Sequence, residues 1–387
     1  MHTTMPQPFC SWRSQAFRGL FFQVLVASLI IGLVLYLVHN TRLNMTARGI
    51  QSGWDFLLGG SGFDIGESLF SYDAAEPYWK AYLIGFSNTL RVALLGIVLT
   101  TVLGTLIGIG RLSRNALVRG LCLCYIEFFR NIPVLLQLLM WYLLLTEVLP
   151  SSSAPLALGP LFLSKGGLNF PIPIWSDGYL LAGAGLAVGL AAVCYQRQRA
   201  QRSGALARRF SALQALGTVL AAGLVGWLLG GAPCAMQLPQ QGAFAIENGG
   251  ALSPEFLAVL LGLTVYTAAF VAELVRAGIL SVSHGQSEAA LALGLGRMQS
   301  MRLVTLPQAL QVIIPPLSNQ YLNLTKNSSL AVAVGYPDVV SIANTAINQT
   351  GRAVECIALV MLVYLSTSLL TSLGMNWYNR RAEIRER

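Results

Sequence analysis

Long apolar stretches separated by shorter polar ones set the pattern of this chain. Residues 20–38 form one continuous apolar run, with Arg13 and Arg18 before it. Further runs cover 88–110, 125–149, 179–195, 212–230, 255–274, 306–324 and 353–373. Each approaches or exceeds the ~18–20 apolar residues that carry a helix across about 30 Å of hydrocarbon. A membrane barrel would instead show alternating segments of about ten residues. The pattern predicts an all-α polytopic membrane protein with about eight transmembrane helices.

The first run ends Leu35-Tyr36-Leu37-Val38-His39-Asn40, without the small residues of a signal-peptide cleavage site, so it reads as an uncleaved helix. The polar segment after it carries Asp55, Asp64, Glu67, Asp73 and Glu76 and is expected outside the membrane. Residues 150–177 form a loop rich in Ser, Pro and Gly. Residues 197–209 are strongly basic, and the tail carries Arg380, Arg381, Arg385 and Arg387. Lys and Arg are retained on the cytoplasmic side, so this asymmetry places both termini and the 284–309 stretch inside the cell.

That stretch departs from the apolar pattern. It reads as two short helices with Ser287 as a first cap, Glu288 in the first turn, and small residues at Ala289, Ala290, Ala292 and Gly294. Gly294 is expected to take the left-handed conformation that ends a helix and turns the chain. By itself this describes an amphipathic loop between membrane helices.

Composition agrees with the spans. Hydrophobic residues make up 55% and charged residues 11%, against about 25% charged in a soluble domain. The net charge of +9 is read as a record of orientation, with no nucleic-acid partner. Cys10, Cys122, Cys124, Cys194, Cys234 and Cys356 contain no C-x-x-C pair and read as buried small hydrophobes; no metal is expected. The three His are scattered, and none of the three Lys sits in a G-x-x-x-x-G-K-[S/T] loop. There is no catalytic set, and the chain binds no ATP through such a loop.

Polar residues within spans are costly and point to a pathway or a buried partner. Gln137 lies in the third span, and Asn319, Gln320 and Asn323 in the seventh, beside Pro315-Pro316, which should break that helix. One reading is interhelical hydrogen bonding. The other is a polar lining for a zwitterion. Glu127 with Arg130, and Glu273 with Arg276, stand three apart and read as local ion pairs that could also hold a gate.

Glu288-Ala289-Ala290, three residues, Gly294, nine residues, then Val304-Thr305-Leu306-Pro307 resembles the EAA signature of ABC-importer permeases. Gly85-Phe86-Ser87-Asn88-Thr89-Leu90, the stretch Tyr125 to Leu138 and Glu273 to Ile279 resemble the permeases of polar amino-acid importers. So does Lys326-Asn327-Ser328-Ser329-Leu330. The similarity covers about residues 80–150 and 253–380. The extra first helix and the insertion resemble the enlarged permeases of general L-amino-acid importers, the Aap/Bzt type.

The resemblance implies a type I importer core of five helices, in 81–150 and 253–387. An N-terminal helix and external segment, 1–80, and an inserted helix pair, 151–252, add to it. It implies a permease in a bacterial inner membrane, in contact with lipid, paired with a second permease, a cytoplasmic ATPase that binds ATP and Mg, and a periplasmic amino-acid binding protein. The ATPase contact falls to Gln286, Glu288, Ala289, Ala290, Gly294, Arg297, Leu306 and Pro307. The pathway falls to Gln137, Asn319, Asn323, Lys326, Ser328 and Ser329, and the gate to Glu127, Arg130, Glu273 and Arg276. Two other readings remain: a secondary transporter, which would need an inverted repeat and buried acids, and a scaffold without transport.

Overall fold

The computed structural model describes residues 15–49, 52–202, 212–242 and 245–382. Cys10, Arg13, the basic residues from 203 to 209, and Arg385 and Arg387 lie outside them. Helices dominate, as the apolar runs require. They are α1 (Gln15–Ala47), α2 (Tyr78–Gly110), α3 (Ala116–Asn131), α4 (Val134–Leu143), α5 (Gly178–Arg202) and α6 (Ala212–Leu229). Then come α7 (Pro254–Leu280), α8 (His284–Ala292), α9 (Arg297–Ser300), α10 (Leu306–Asn327), α11 (Val339–Thr350) and α12 (Ala353–Ala382).

Among the described residues five helices are long and apolar enough to cross a membrane, and seven spans result if two bent pairs each count as one. A shorter apolar helix, Gln214–Leu229, is the eighth element of the expected set. The third expected span is one of the bent pairs: Ala116–Asn131 and Val134–Val148 meet at 105°. Pro133 explains the break, because it lacks an amide proton and restricts the residue before it. The other bent pair, Arg297–Val334 with Val339–Thr350 at 50°, was not foreseen. Its bend lies at Gly335, with φ +80°, and Pro337. Pro315 and Pro316 do not break α10, which continues through both.

The chain divides into two compact units: Met1–Leu94 with Ala277–Arg387, and Leu95–Arg276. In the second unit α7 is central. Glycines let α2 approach it: a Cβ on Gly104 would stand 2.7 Å from the Val271 side chain, and one on Gly108 would stand 2.6 Å from the Ala272 carbonyl. Such small-residue contacts are how helices associate where lipid offers no hydrophobic driving force. Tyr125 of α3 donates to the Val265 carbonyl at 2.8 Å, and Tyr142 meets Glu255 at 3.3 Å.

The first unit has a core of Tyr78, Ala81, Tyr82 and Ile84 from α2, Val339, Ile342, Ala343 and Ala346 from α11, and Cys356 from α12. Phe56 and Ile65 reach it from the polar segment. That segment is stapled down: Arg352, 8% exposed, donates to Asp55 at 2.6 and 2.9 Å and to the Gly53 carbonyl at 2.8 Å. The guanidinium holds the Asp55 carboxyl below its usual range, so the tie is present above that range and lost only on acidification through the lowered value. Cys356 is buried and Cys122 half-buried, whereas Cys124, Cys194 and Cys234 are exposed. The expectation of buried cysteines therefore fails for those three.

The insertion is not purely helical. Strands Leu156–Leu158, Leu161–Ser164, Gly167–Phe170 and Gly250–Leu252 form an antiparallel sheet in that order. Ile172–Pro173 pairs with Met236–Gln237. The ladders bring the two ends of the insertion together and leave α5 and α6 as a hairpin above them. Its helices touch through backbone: a Cβ on Gly185 would stand 2.3 Å from the Ala222 carbonyl, and one on Gly226 would stand 2.2 Å from the Leu181 carbonyl.

Gly178 and Gly230 already meet at the base of this hairpin. Deleting residues 178–231 and joining the flanks is expected to leave the remaining spans inserted. Removing two spans keeps the side on which the C-terminus emerges. A C-terminal topology reporter on the deleted chain checks this, and an inverted or uninserted reporter would show that the hairpin is integral to the fold.

Candidate functional site

α7 ends at Leu280; Ser283 holds the N-cap position of α8 without a side-chain cap bond, and helix begins at His284. Ser287 is therefore inside the helix, not its cap, and Glu288 lies just beyond the first turn. The Ser287-Glu288 pair imitates a helix start because a hydroxyl followed by a carboxylate suits a first turn, but helix is already under way there. The turn is as expected. Leu295 N–H bonds the Ala290 carbonyl at 3.1 Å and Gly294 N–H bonds the Leu291 carbonyl at 2.9 Å, with Gly294 at φ +77°. This is the paired hydrogen bonding of a Schellman motif, in which a left-handed glycine satisfies the last carbonyls. No atom lies within 4 Å of a Cβ placed on Gly294, so its requirement is the backbone angle, not space.

Beyond the turn, Gly296 caps α9, and the Gln299 side chain accepts from its N–H at 3.1 Å. Gln308 and Gln286 touch at 3.4 Å, which ties α8 to the start of α10. Ala290, Ser300 and Thr305 are buried and anchor the loop. Gln286, Glu288, Ala289, Gly294, Arg297 and Leu306 are exposed, and Pro307 is half-buried. His284 and Glu288, 3.9 Å apart, are both exposed and contribute little. The loop also exposes Leu291, Leu293, Met298, Met301 and Leu303. Leu293 is 82% and Met298 80% exposed. Apolar side chains gathered on such a short loop form an exposed apolar patch.

The polar residues expected in the pathway divide into two groups. Asn319, Asn323 and Lys326 stand at i, i+4 and i+7 on α10, so they share one face, and all three are exposed. Gln137 is 1% exposed and faces the break between α3 and α4. Its amide donates to the Phe129 and Ile132 carbonyls, both at 2.9 Å. It occupies donors on carbonyls that the Pro133 break leaves free. Ser328 is 1% exposed and donates to the Thr325 carbonyl at 2.7 Å. Ser329 donates to the Lys326 carbonyl at 2.8 Å. Gln137 and Ser328 thus have their donors committed to nearby carbonyls, unlike the exposed residues of α10.

Of the two charge pairs, one forms. Arg276 grips both oxygens of Glu273 through Nε at 3.0 Å. Glu127 instead meets Asn131 at 3.5 Å, and Arg130 lies over the Phe270 ring at 5.3 Å. The expected Glu127–Arg130 pair is absent among the described ion pairs, because each side chain has a nearer alternative.

A buried polar hub joins the 85–90 motif on α2 to the bend between α10 and α11. Asn88, fully buried, donates to the Glu67 carbonyl at 2.8 Å and the Pro337 carbonyl at 2.9 Å. Tyr336 donates to the Asn88 carbonyl at 3.3 Å, and Val339 N–H reaches the Thr89 hydroxyl at 3.3 Å. Asp338 caps α11 by accepting from Ser341 N–H at 2.8 Å, and Tyr364 donates to its other oxygen at 3.4 Å. Gly85 permits this approach: its Cβ would stand 3.0 Å from the Val339 Cα. The sequence reading missed Tyr336 and Asp338. Gly335-Tyr336-Pro337-Asp338 before an apolar run carried the signal, a glycine stop followed by a capping residue.

Asn88→Ala strands the Glu67 and Pro337 carbonyls, and each unmade buried bond costs about 1–3 kcal/mol. The expected outcome is a lowered melting temperature of the purified chain in detergent. An unchanged melting curve would overturn the assignment of Asn88 as the tie between these segments.

Residues 100–384 match the family of binding-protein-dependent transport system inner membrane components. The chain is 43% identical to the general L-amino acid transport system permease protein AapQ of Rhizobium johnstonii, over 96% of this chain and 94% of that one. It is 44% identical to the putative amino-acid ABC transporter permease protein YhdX of Escherichia coli K12, over 97% of each. The glutamate/glutamine/aspartate/asparagine transport system permease protein BztB of Rhodobacter capsulatus is 38% identical over 96% of this chain and 95% of that one. The bent spans, the exposed two-helix loop and a match across most of the sequence converge: this chain is a multi-pass membrane protein and belongs to the permease components of binding-protein-dependent ABC importers.

Proposed function

We propose that this permease conducts polar L-amino acids inward, with both termini and the α8–α9 loop in the cytoplasm. An ATPase docks on that loop. A second permease completes the pathway, and a binding protein delivers substrate from the opposite face. ATP and Mg are held by the ATPase. The single observation that carries this reading is the α8–α9 loop: rigidly turned at Gly294, anchored through Ala290, and exposing Leu291, Leu293, Met298 and Leu303. A rigid apolar projection can transmit a push between subunits, and a scaffold has no need of one.

The names of the relatives support amino acids as the substrate class. The α10 face supports it chemically. Asn319 and Asn323 offer amide donors and acceptors to a zwitterion, and Lys326 offers a cation to its carboxylate. The second permease, the binding protein and the orientation rest on family kinship and on the distribution of basic residues.

Gly294→Asp is expected to abolish uptake while leaving insertion intact. The left-handed backbone costs a residue with a Cβ roughly 1 kcal/mol or more, and the added charge faces the docking surface. The check is to purify the complex, then measure ATPase co-purification, hydrolysis stimulated by the binding protein, and uptake into vesicles. Wild-type values in all three would remove the loop from coupling.

Replacing Asn319 and Asn323 together by Ala is expected to raise the KM for uptake about tenfold or more, the effect of losing one hydrogen bond to a charged group. Assembly should be unchanged, since both side chains are exposed. Unchanged kinetics would take this face out of the pathway.

A further inference from the structure

A groove of about 530 Å³ lies between the C-terminal part of α1 and the first turns of α12. It is lined by Leu37, Val38 and Arg42 of α1, by Gly53 and Trp54, and by Glu355 and Ala358 of α12. Its volume falls within the range of roughly 300–1,000 Å³ typical of small-molecule sites. Three features of the groove define what fits it.

The first is its place. No residue in the apolar window of α1 is buried against the rest of this chain, so its apolar face is left open to lipid in a bilayer. The second is its polarity gradient. Val38 ends the apolar run, and Arg42 lies four residues on, about 6 Å along the axis on the same face. Ala358 sits deeper in the apolar helix than Glu355, by about one turn. One end of the groove is therefore apolar and the other polar, and Trp54, 53% exposed, lines it beside Gly53, an amphipathic ring of the kind found at membrane interfaces.

The third is charge. Arg42 is exposed and makes no ion pair among the described residues. The neighbouring Arg352 is committed to Asp55. Glu355 is 6% exposed; one oxygen accepts from Gly53 N–H at 2.7 Å, and the other, itself buried, has no hydrogen-bond partner among the described residues. A cation and an anion, each with capacity to spare, thus flank one groove.

We propose that this groove is a binding site for a zwitterionic aminophospholipid, phosphatidylethanolamine. Its phosphate meets the Arg42 guanidinium, its ammonium meets Glu355, and an acyl chain lies along Leu37, Val38 and Ala358. The lipid fills the gap beside α1 and fixes that helix against α12. An anionic lipid such as phosphatidylglycerol satisfies Arg42 but offers Glu355 no cation, leaving its phosphate charge uncompensated beside the carboxylate. A choline headgroup offers Glu355 no N–H donor.

The test uses the full chain reconstituted in nanodiscs of equal parts phosphatidylethanolamine, phosphatidylcholine and phosphatidylglycerol, followed by native mass spectrometry of the released protein. Wild type is expected to retain phosphatidylethanolamine preferentially. Arg42→Gln, an exposed substitution that leaves the fold intact, should lower that retention about tenfold, as loss of one charge-assisted contact predicts. Glu355→Gln keeps an acceptor for Gly53 and should erase the preference over phosphatidylcholine. Equal retention of the three lipids by wild type, preferential retention of phosphatidylglycerol, or an undiminished preference in Arg42→Gln would each overturn the proposal. So would displacement of the lipid by millimolar free L-glutamate, which would make the groove an amino-acid site.

Discussion

Every break in a helix frees backbone groups, and within hydrocarbon only the protein itself can take them up. Much of this structure answers that constraint. At the α3–α4 break, Gln137 gives both amide protons to the carbonyls of Phe129 and Ile132. At the α10–α11 bend, Asn88 takes the Pro337 carbonyl and Thr89 takes the Val339 N–H. At the end of α8, Gly294 closes the helix on itself. These few side chains give the bends the hydrogen-bond partners they need.

The same constraint explains why polar residues within the spans are not one class. Gln137 and Ser328 are spent inside the protein on carbonyls. Asn319, Asn323 and Lys326 are left facing outward on a single stripe of α10. The difference is one of geometry. A polar side chain that serves the fold is buried against a break, whereas one that can serve a substrate lies on an intact helix with its hydrogen-bonding groups open.

Additions to the core follow their own logic. The α5–α6 hairpin packs through glycine onto itself and is tied at its base by short β-ladders. The helix α1 exposes its apolar run entirely. The segment 52–58 is held instead by Arg352, which binds Asp55 and lies over the Phe56 ring at 5.5 Å.

Sequence alone determined the class, the long apolar helices and the glycine turn between α8 and α9. A run of apolar residues long enough to cross a membrane has few alternatives to helix, and a glycine between two short helices declares its left-handed angle locally. The chain's own pattern did not reveal that Pro315 and Pro316 leave α10 whole, that Arg297–Val334 and Val339–Thr350 form a second bent pair, or that Ser283 and not Ser287 stands at the N-cap position of α8. Nor did it separate Gln137 from Asn319, or show that Arg130 turns to Phe270 rather than Glu127. Those outcomes depend on which carbonyl, ring or guanidinium stands opposite, often across more than a hundred residues of chain. Local pattern fixes where a helix can exist; only packing decides which of its polar groups are already taken.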